Sequence, residues 1–160
     1  MQNYINKQDS FFVAGHNGMV GQAIIKTLKK SGYCDKSLGG KLIIADRNEL
    51  DLTSYEKVMS WFKIKKPNVV IIAAAKVGGI YANQKNPYNF ISENIKIAHN
   101  LIEASWINGA RRLLFLGSSC IYPKNSNLPI VEEELLTSTL EETNEAYAIA
   151  TVSYTHLTLP

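Results

Sequence analysis

The stretch Ser10-Phe11-Phe12-Val13-Ala14-Gly15-His16-Asn17-Gly18-Met19-Val20-Gly21 decides the fold. Ser10 to Ala14 is a short, strand-forming apolar run. Beyond the glycines, Val20, Ala23, Ile24, Thr27 and Leu28 recur at i, i+3, i+4, i+7 and i+8, which predicts one face of a helix. Gly-x-x-Gly-x-x-Gly between a strand and a helix has a physical purpose. Gly15 permits the tight turn, Gly18 lets a diphosphate approach the backbone, and Gly21 lets the helix pack closely. The free N–H groups of the first helical turn then face the anion. Glycines alone are a weak signal, since a plain glycine-rich turn shares the letters; the flanking strand and helix point to dinucleotide binding, with His16, Asn17, Met19 and Val20 in the same turn.

Outward from that turn the alternation repeats. Leu42 to Ala45 is a second apolar run, and Thr53 with Glu56 predicts a capping box before a helix facing inward through Tyr55, Val58, Met59 and Phe62. Val69 to Ala73 is unbroken apolar sequence, as suits a strand covered on both faces. Asn86-Pro87 predicts the start of a long helix reaching Asn108, with Ile91, Ile95, Ala98, Ile102 and Ser105 inward. Leu113 to Leu116 forms a fourth strand. Regular alternation with right-handed crossovers gives an α/β class, a Rossmann-like doubly wound parallel sheet with helices on both faces. Helical apolar spacing ceases from Val152 to Pro160, so the expected organisation is one nucleotide-binding domain over 1–150 and a foreign tail over 151–160.

With 160 residues, the chain is long enough for one domain with a genuine core. Its net charge of +3 is spread along the chain instead of gathered in runs, which gives no support to nucleic-acid binding. Met1 to Ser10 has no apolar leader, and the longest apolar run, Val69 to Ala75, is far short of a membrane span; a cytoplasmic protein with no membrane partner is expected. Two cysteines, Cys34 and Cys120, make no disulfide framework, and no Cys or His spacing suggests a metal site.

Candidate site residues gather at the carboxyl ends of the strands, where this fold binds ligands. Asp46 and Arg47 follow the second strand and argue in opposite directions: a carboxylate suits the 2′-hydroxyl of NAD, a guanidinium the 2′-phosphate of NADP. Ala73 and Ala74 are small enough for the backbone to pass close to a cofactor, and Lys76 either faces a phosphate or ribose or is merely solvated. Leu116, Gly117, Ser118 and Ser119 form the fourth strand tip, with Cys120 next and Tyr147 further on. A tyrosine hydroxyl has an ordinary pKa near 10, so proton exchange at neutral pH needs a nearby cation, normally a lysine one helical turn later. Position 151 is threonine. Taken singly, Tyr147 reads as packing, the serines as turn caps and Cys120 as a small buried residue.

Four stretches taken in order are more specific: 14–21, Ala73-Ala74-Ala75-Lys76-Val77-Gly78-Gly79-Ile80, Leu114 to Lys124 with Gly117-Ser118-Ser119-Cys120-Ile121-Tyr122-Pro123 at its centre, and Asn144-Glu145-Ala146-Tyr147-Ala148-Ile149-Ala150. Together they resemble the extended short-chain dehydrogenases/reductases, in particular the branch that epimerises and reduces GDP-4-keto-6-deoxymannose. The resemblance covers Ser10 to Ala150, and the family continues with lysine at 151 and a second half holding a sugar-nucleotide domain and a catalytic histidine.

The resemblance implies roles for the intact enzyme. Cys120, with that histidine, exchanges protons at the carbons flanking the C4 ketone. Tyr147 supplies the proton to the ketone oxygen as hydride arrives from the nicotinamide, and Ser118 holds that oxygen. NADPH is the implied cofactor over NAD, with Arg47 at its phosphate; the partners implied are a GDP-sugar and a second copy of the chain. An apolar sheet edge left exposed, and no reductase activity for the chain as it stands, are the accompanying expectations. Another extended-family nucleotide-sugar epimerase or dehydratase, or a non-catalytic NAD(P)-binding module, are the alternatives.

Overall fold

A computed structural model describes residues 5–155. Four strands, β1 (Ser10–Ala14), β2 (Lys41–Ile43), β3 (Val69–Ile72) and β4 (Arg112–Phe115), form one sheet in the order β2-β1-β3-β4. All three pairings are parallel. The chain winds from β1 outward to β2, then returns to the other side of β1 for β3. That reversal makes the gap between β1 and β3 the switch point of a doubly wound sheet, the place where such folds take ligands.

Alternation along the strands divides the core in two. Phe12, Ala14, Val70 and Ile72 face α2 (Tyr55–Lys65) and α4 (Pro87–Ile107), packing with Val58, Trp61, Phe62, Leu101 and Ala104. Phe12 meets Trp61 at 4.6 Å and Phe62 edge-on at 5.6 Å between ring centroids. Phe11, Val13, Val69 and Ile71 face α1 (Met19–Lys30) through Ile24, Ile25 and Leu28. All four β3 residues are buried, as their unbroken apolar run requires.

Several local expectations shift. Val20, Ala23 and Thr27 of α1 are exposed; the helix turns Gly21, Ile24, Ile25 and Leu28 inward, because it is anchored where Gly21 lies against the loop backbone. The cap of α2 is Ser54, whose hydroxyl accepts from the Lys57 N–H at 3.5 Å, while Thr53 donates its hydroxyl to Asp51 at 2.7 Å and so belongs to the preceding turn. Tyr55 is exposed and Trp61 is buried with Val58 and Phe62. On α4 the fully buried stripe runs through Phe90, Asn94, Ala98, Leu101, Ala104 and Ser105, leaving Ile91, Ile95 and Ile102 half-buried. Polar side chains that find backbone partners can outcompete isoleucine for the interior; Asn100, also buried, donates to the Leu52 carbonyl at 2.9 Å. A short α3 (Ile80–Lys85) precedes α4, and α5 (Glu145–Thr155) carries the helix past Ala150, where the apolar spacing had stopped. Residues 156–160 of the expected tail lie outside the described residues.

β4 forms a sheet edge, and its Leu114 is 51% exposed, in keeping with the expected apolar edge. The chain falls into two compact units, one made of residues up to 75 with 96–116, the other of 76–95 with 117 onward. Among the described residues no helix is long and apolar enough to cross a membrane.

Candidate functional site

In the first unit the glycine turn is built by close backbone approach. Gly15 has φ +85°, and a Cβ there would stand 2.4 Å from the Ala73 carbonyl oxygen, so only glycine fits. A Cβ on Gly21 would stand 2.2 Å from the Gly15 carbonyl oxygen. Gly18 is different: its φ is −74° and a Cβ would meet only the Gly15 oxygen, at 3.3 Å. The fold requires Gly15 and Gly21, whereas at Gly18 a Cβ would make one tight contact without overlapping the backbone. Gly18 is also the N-cap of α1, with no side chain capping the helix and no acidic residue in its first turn. The N–H groups of Met19, Val20 and Gly21 stand at that uncapped end, a setting for an anion. His16 is half-buried; Asn17 is exposed and accepts Gln22 Nε2 on its carbonyl at 2.9 Å.

Ala73 continues the ladder past β3, donating its N–H to the Ala14 carbonyl at 2.9 Å, and Leu116 donates to the Ile72 carbonyl at 3.1 Å. Asp46 and Arg47 are both exposed. Asp46 is partly committed: one carboxylate oxygen accepts the N–H groups of Asn48 and Glu49 at 2.8 and 2.9 Å. Arg47 forms no ion pair among the described residues.

In the second unit, Lys76 is occupied. Its ammonium pairs with Glu93 at 2.5 Å and lies 5.9 Å from the centre of the Phe90 ring. Its backbone is clamped by Asn94, which accepts the Lys76 N–H at 2.7 Å and donates to the Lys76 and Phe90 carbonyls at 3.0 and 2.8 Å. Neither Glu93 nor Asn94 was singled out by the sequence; the only signal is an asparagine in mid-helix, where its propensity is poor.

Ser118 caps a short 3-10 turn, Ser119–Ile121, accepting the Cys120 N–H at 3.2 Å. Cys120 is half-buried, and its sulfur accepts Asn144 Nδ2 at 3.3 Å. Tyr147 lies in the first turn of α5, half-buried, and its hydroxyl forms no hydrogen bond among the described residues. Thr151 is 7% exposed, one turn beyond Tyr147, and its hydroxyl donates to the Tyr147 carbonyl at 3.3 Å. A Cβ on Gly117 would lie 3.5 Å from Thr151 Cγ2, so position 151 borders the strand-tip loop. Among the described residues no cluster of His, Cys, Asp or Glu is arranged to hold a metal.

A parallel sheet with a glycine turn after its first strand and an uncapped helix behind it defines an α/β nucleotide-binding protein. The chain belongs to the NAD dependent epimerase/dehydratase family, whose model matches residues 11–159. It is 50% identical over 153 residues to GDP-L-fucose synthase of Sinorhizobium fredii (96% of this chain, 46% of that protein). It is 46% identical over 142 residues to GDP-L-fucose synthase of Escherichia coli (89% and 42%). Among solved structures, MlghC, a GDP-mannoheptose C4 reductase from Campylobacter jejuni with NADP bound, matches with a TM-score of 0.85 and 32% identity, over 93% of this chain and 45% of that one. The chain thus spans less than half the length of the curated relatives it matches.

Proposed function

We propose that this chain is the cofactor-binding half of an NADPH-dependent epimerase-reductase that converts GDP-4-keto-6-deoxymannose to GDP-L-fucose. The observation that carries the reading is Cys120: a thiol held by an amide, two residues after the Ser118 cap and in the same unit as the Tyr147 helix. A plain reductase needs no such group, whereas moving protons at the carbons beside a ketone needs one with an ordinary pKa not far from neutral. In that step the thiolate takes a carbon-bound proton, the C–H electron pair becomes the C=C bond of an enolate as the carbonyl π pair moves onto the ketone oxygen, and a proton returned to the opposite face by a second acid, supplied by the other half of the enzyme, inverts the carbon. Tyr147 then gives its hydroxyl proton to the C4 oxygen during reduction, and Ser118 donates a hydrogen bond to that oxygen. NADPH supplies the hydride. Gly15, Gly18 and Gly21 with the first turn of α1 would hold its diphosphate, flanked by His16, Asn17, Met19 and Val20. Ala73, Ala74 and Leu116, at the ends of the neighbouring strands, would border it.

NADP is preferred over NAD because Asp46 spends one oxygen on its own turn while Arg47 stands exposed without an ion pair among the described residues. Lys76 contributes by fixing the loop after β3, its charge being matched by Glu93. A homodimer accords with the exposed Tyr88, Trp106 and Ile107 on α4.

Thr151 favours a second reading for the chain as it stands, a non-catalytic NADP(H)-binding module, since Tyr147 has no lysine one turn away. One experiment separates the two. The chain, with Thr151 or Thr151→Lys, is joined to the second half of the Escherichia coli relative and assayed for keto-sugar-dependent NADPH oxidation. Turnover of GDP-4-keto-6-deoxymannose in the lysine version, at least about 100-fold above the threonine version, is expected from the size of acid–base contributions. Tight NADPH binding with no turnover in either version supports the binding module, and turnover of UDP-keto-sugars alone overturns the GDP-sugar assignment.

A further inference from the structure

We infer that Asn144 is a positioning residue for the Cys120 thiol, holding the sulfur in place through an N–H hydrogen bond. The inference rests on the proton-transfer role proposed for Cys120 and adds a residue to it. Asn144 Nδ2 donates to the Cys120 sulfur at 3.3 Å, and Asn144 Oδ1 is buried with no hydrogen-bond partner among the described residues. A buried amide oxygen left without a partner is costly, so the side chain is not oriented to satisfy itself. What its orientation does satisfy is the sulfur.

The amide is fixed from both sides of the chain. Asn144 ends a 3-10 turn, Glu142–Asn144, with its own N–H donated to the Glu141 carbonyl at 3.1 Å, and α5 begins at the next residue. The turn is fastened in addition by a Lys124–Glu141 ion pair at 3.1 Å and by the Thr143 N–H on the Glu141 carboxylate at 3.3 Å. On the other side, the Cys120 N–H is tied to Ser118 Oγ at 3.2 Å. The sulfur is therefore held between two anchored segments.

An asparagine amide suits a thiol that must alternate between protonation states. Its N–H donates to a thiolate, and the same group turned over offers a carbonyl that accepts from S–H. A carboxylate at this position would repel the thiolate, and an alkyl group would leave it without a donor. The ionisable groups on the helix packed against the Ser119–Ile121 turn are Glu145, Tyr147 and Tyr154 of α5, and these stay unchanged in the comparison below.

The test is the rate at which iodoacetamide alkylates Cys120 near neutral pH in the 160-residue chain. Peptide mass spectrometry separates its adduct from that on Cys34, and neither cofactor nor sugar nucleotide is present. Asn144→Asp has the same shape and leaves access to the sulfur unchanged; it is expected to slow alkylation roughly tenfold, and Asn144→Ala roughly threefold, the scale of one hydrogen bond to a charged group. Rates equal to the parent in a folded Asn144→Asp variant overturn the proposal. Should no Asn144 variant fold, NMR of the parent decides: Cys120→Ser must shift the Asn144 side-chain amide resonances, and unmoved resonances overturn the proposal. Because no turnover is read, a failed alkylation result leaves the epimerase-reductase reading standing, and a failed turnover assay leaves this one standing.

Discussion

The two compact units of this chain are stabilised by different means. In the first, Phe11, Phe12, Val13, Val58, Phe62, Val70, Ile72 and Leu101 are essentially inaccessible, and the sheet is sealed by apolar packing on both faces. Among the described residues of the second, the buried hydrophobic side chains are Phe90, Ile121, Ala148 and Ala150, and the interior also takes in Asn83, Asn94 and Thr151. There the side-chain amides replace packing: Asn83 donates to the Gly78 and Gly79 carbonyls at 2.9 and 3.1 Å, and Asn94 clamps Lys76 and Phe90. Apolar packing is non-directional and tolerant, whereas hydrogen bonds position atoms closely. The first unit is thus suited to carrying a cofactor loop, the second to aiming reactive groups.

The comparison breaks most visibly at Gly15. Gly15→Ala puts a methyl against the Ala73 carbonyl at a positive φ, and a loss of about 3 kcal/mol or more is expected in urea unfolding followed by circular dichroism. An unchanged midpoint would show that the turn is not pinned by backbone contact. In the second unit, Asn94→Leu keeps the volume and removes three hydrogen bonds, so a loss of about 2 kcal/mol is expected although the residue becomes more apolar. Were the variant as stable as the parent, packing would govern both units alike.

Gly18→Ala sharpens the contrast within the glycine turn itself. With only a 3.3 Å contact to relieve, its stability should change by less than about 1 kcal/mol, while NADPH affinity, read by nicotinamide fluorescence, falls about tenfold or more. Loss of stability with affinity retained would assign Gly18 to the fold instead of the ligand. The smallest effect is expected at Glu141, whose carboxyl is held below the usual glutamate range first by the Lys124 hydrogen bond and then by the Thr143 N–H. Its contribution is present above the ordinary value near 4.5 and is lost as pH falls through the lower folded value. Glu141→Gln should therefore lower the unfolding midpoint slightly at neutral pH and leave it unchanged in strong acid; the reverse pattern would remove Glu141 from the fastening of the Asn144 turn.

The alternation of apolar runs and helical faces determined the parallel sheet, its strands and the glycine turn, because burial on two faces and a period of 3.6 leave a direct imprint on sequence. The same logic misplaced faces by a residue or so on α1 and α4. Periodicity reports which residues are apolar and cannot report that Gly21 must touch a loop or that Asn94 and Asn100 find carbonyls inside. At the candidate site, Ser118, Cys120 and Tyr147 stood out only as members of motifs in a fixed order, since singly each reads as packing or a turn cap. The pairing of Cys120 with Asn144, the neutralisation of Lys76 by Glu93 and the continuation of α5 to Thr155 were not legible. Those were decided by contacts between segments 17 to 24 residues apart, and by a helix that Thr151 and Tyr154 extend through their bonds to the Tyr147 and Ile95 carbonyls. Local composition fixes which backbone forms; only tertiary structure decides which polar atoms meet, because each such meeting depends on a partner the local sequence does not contain.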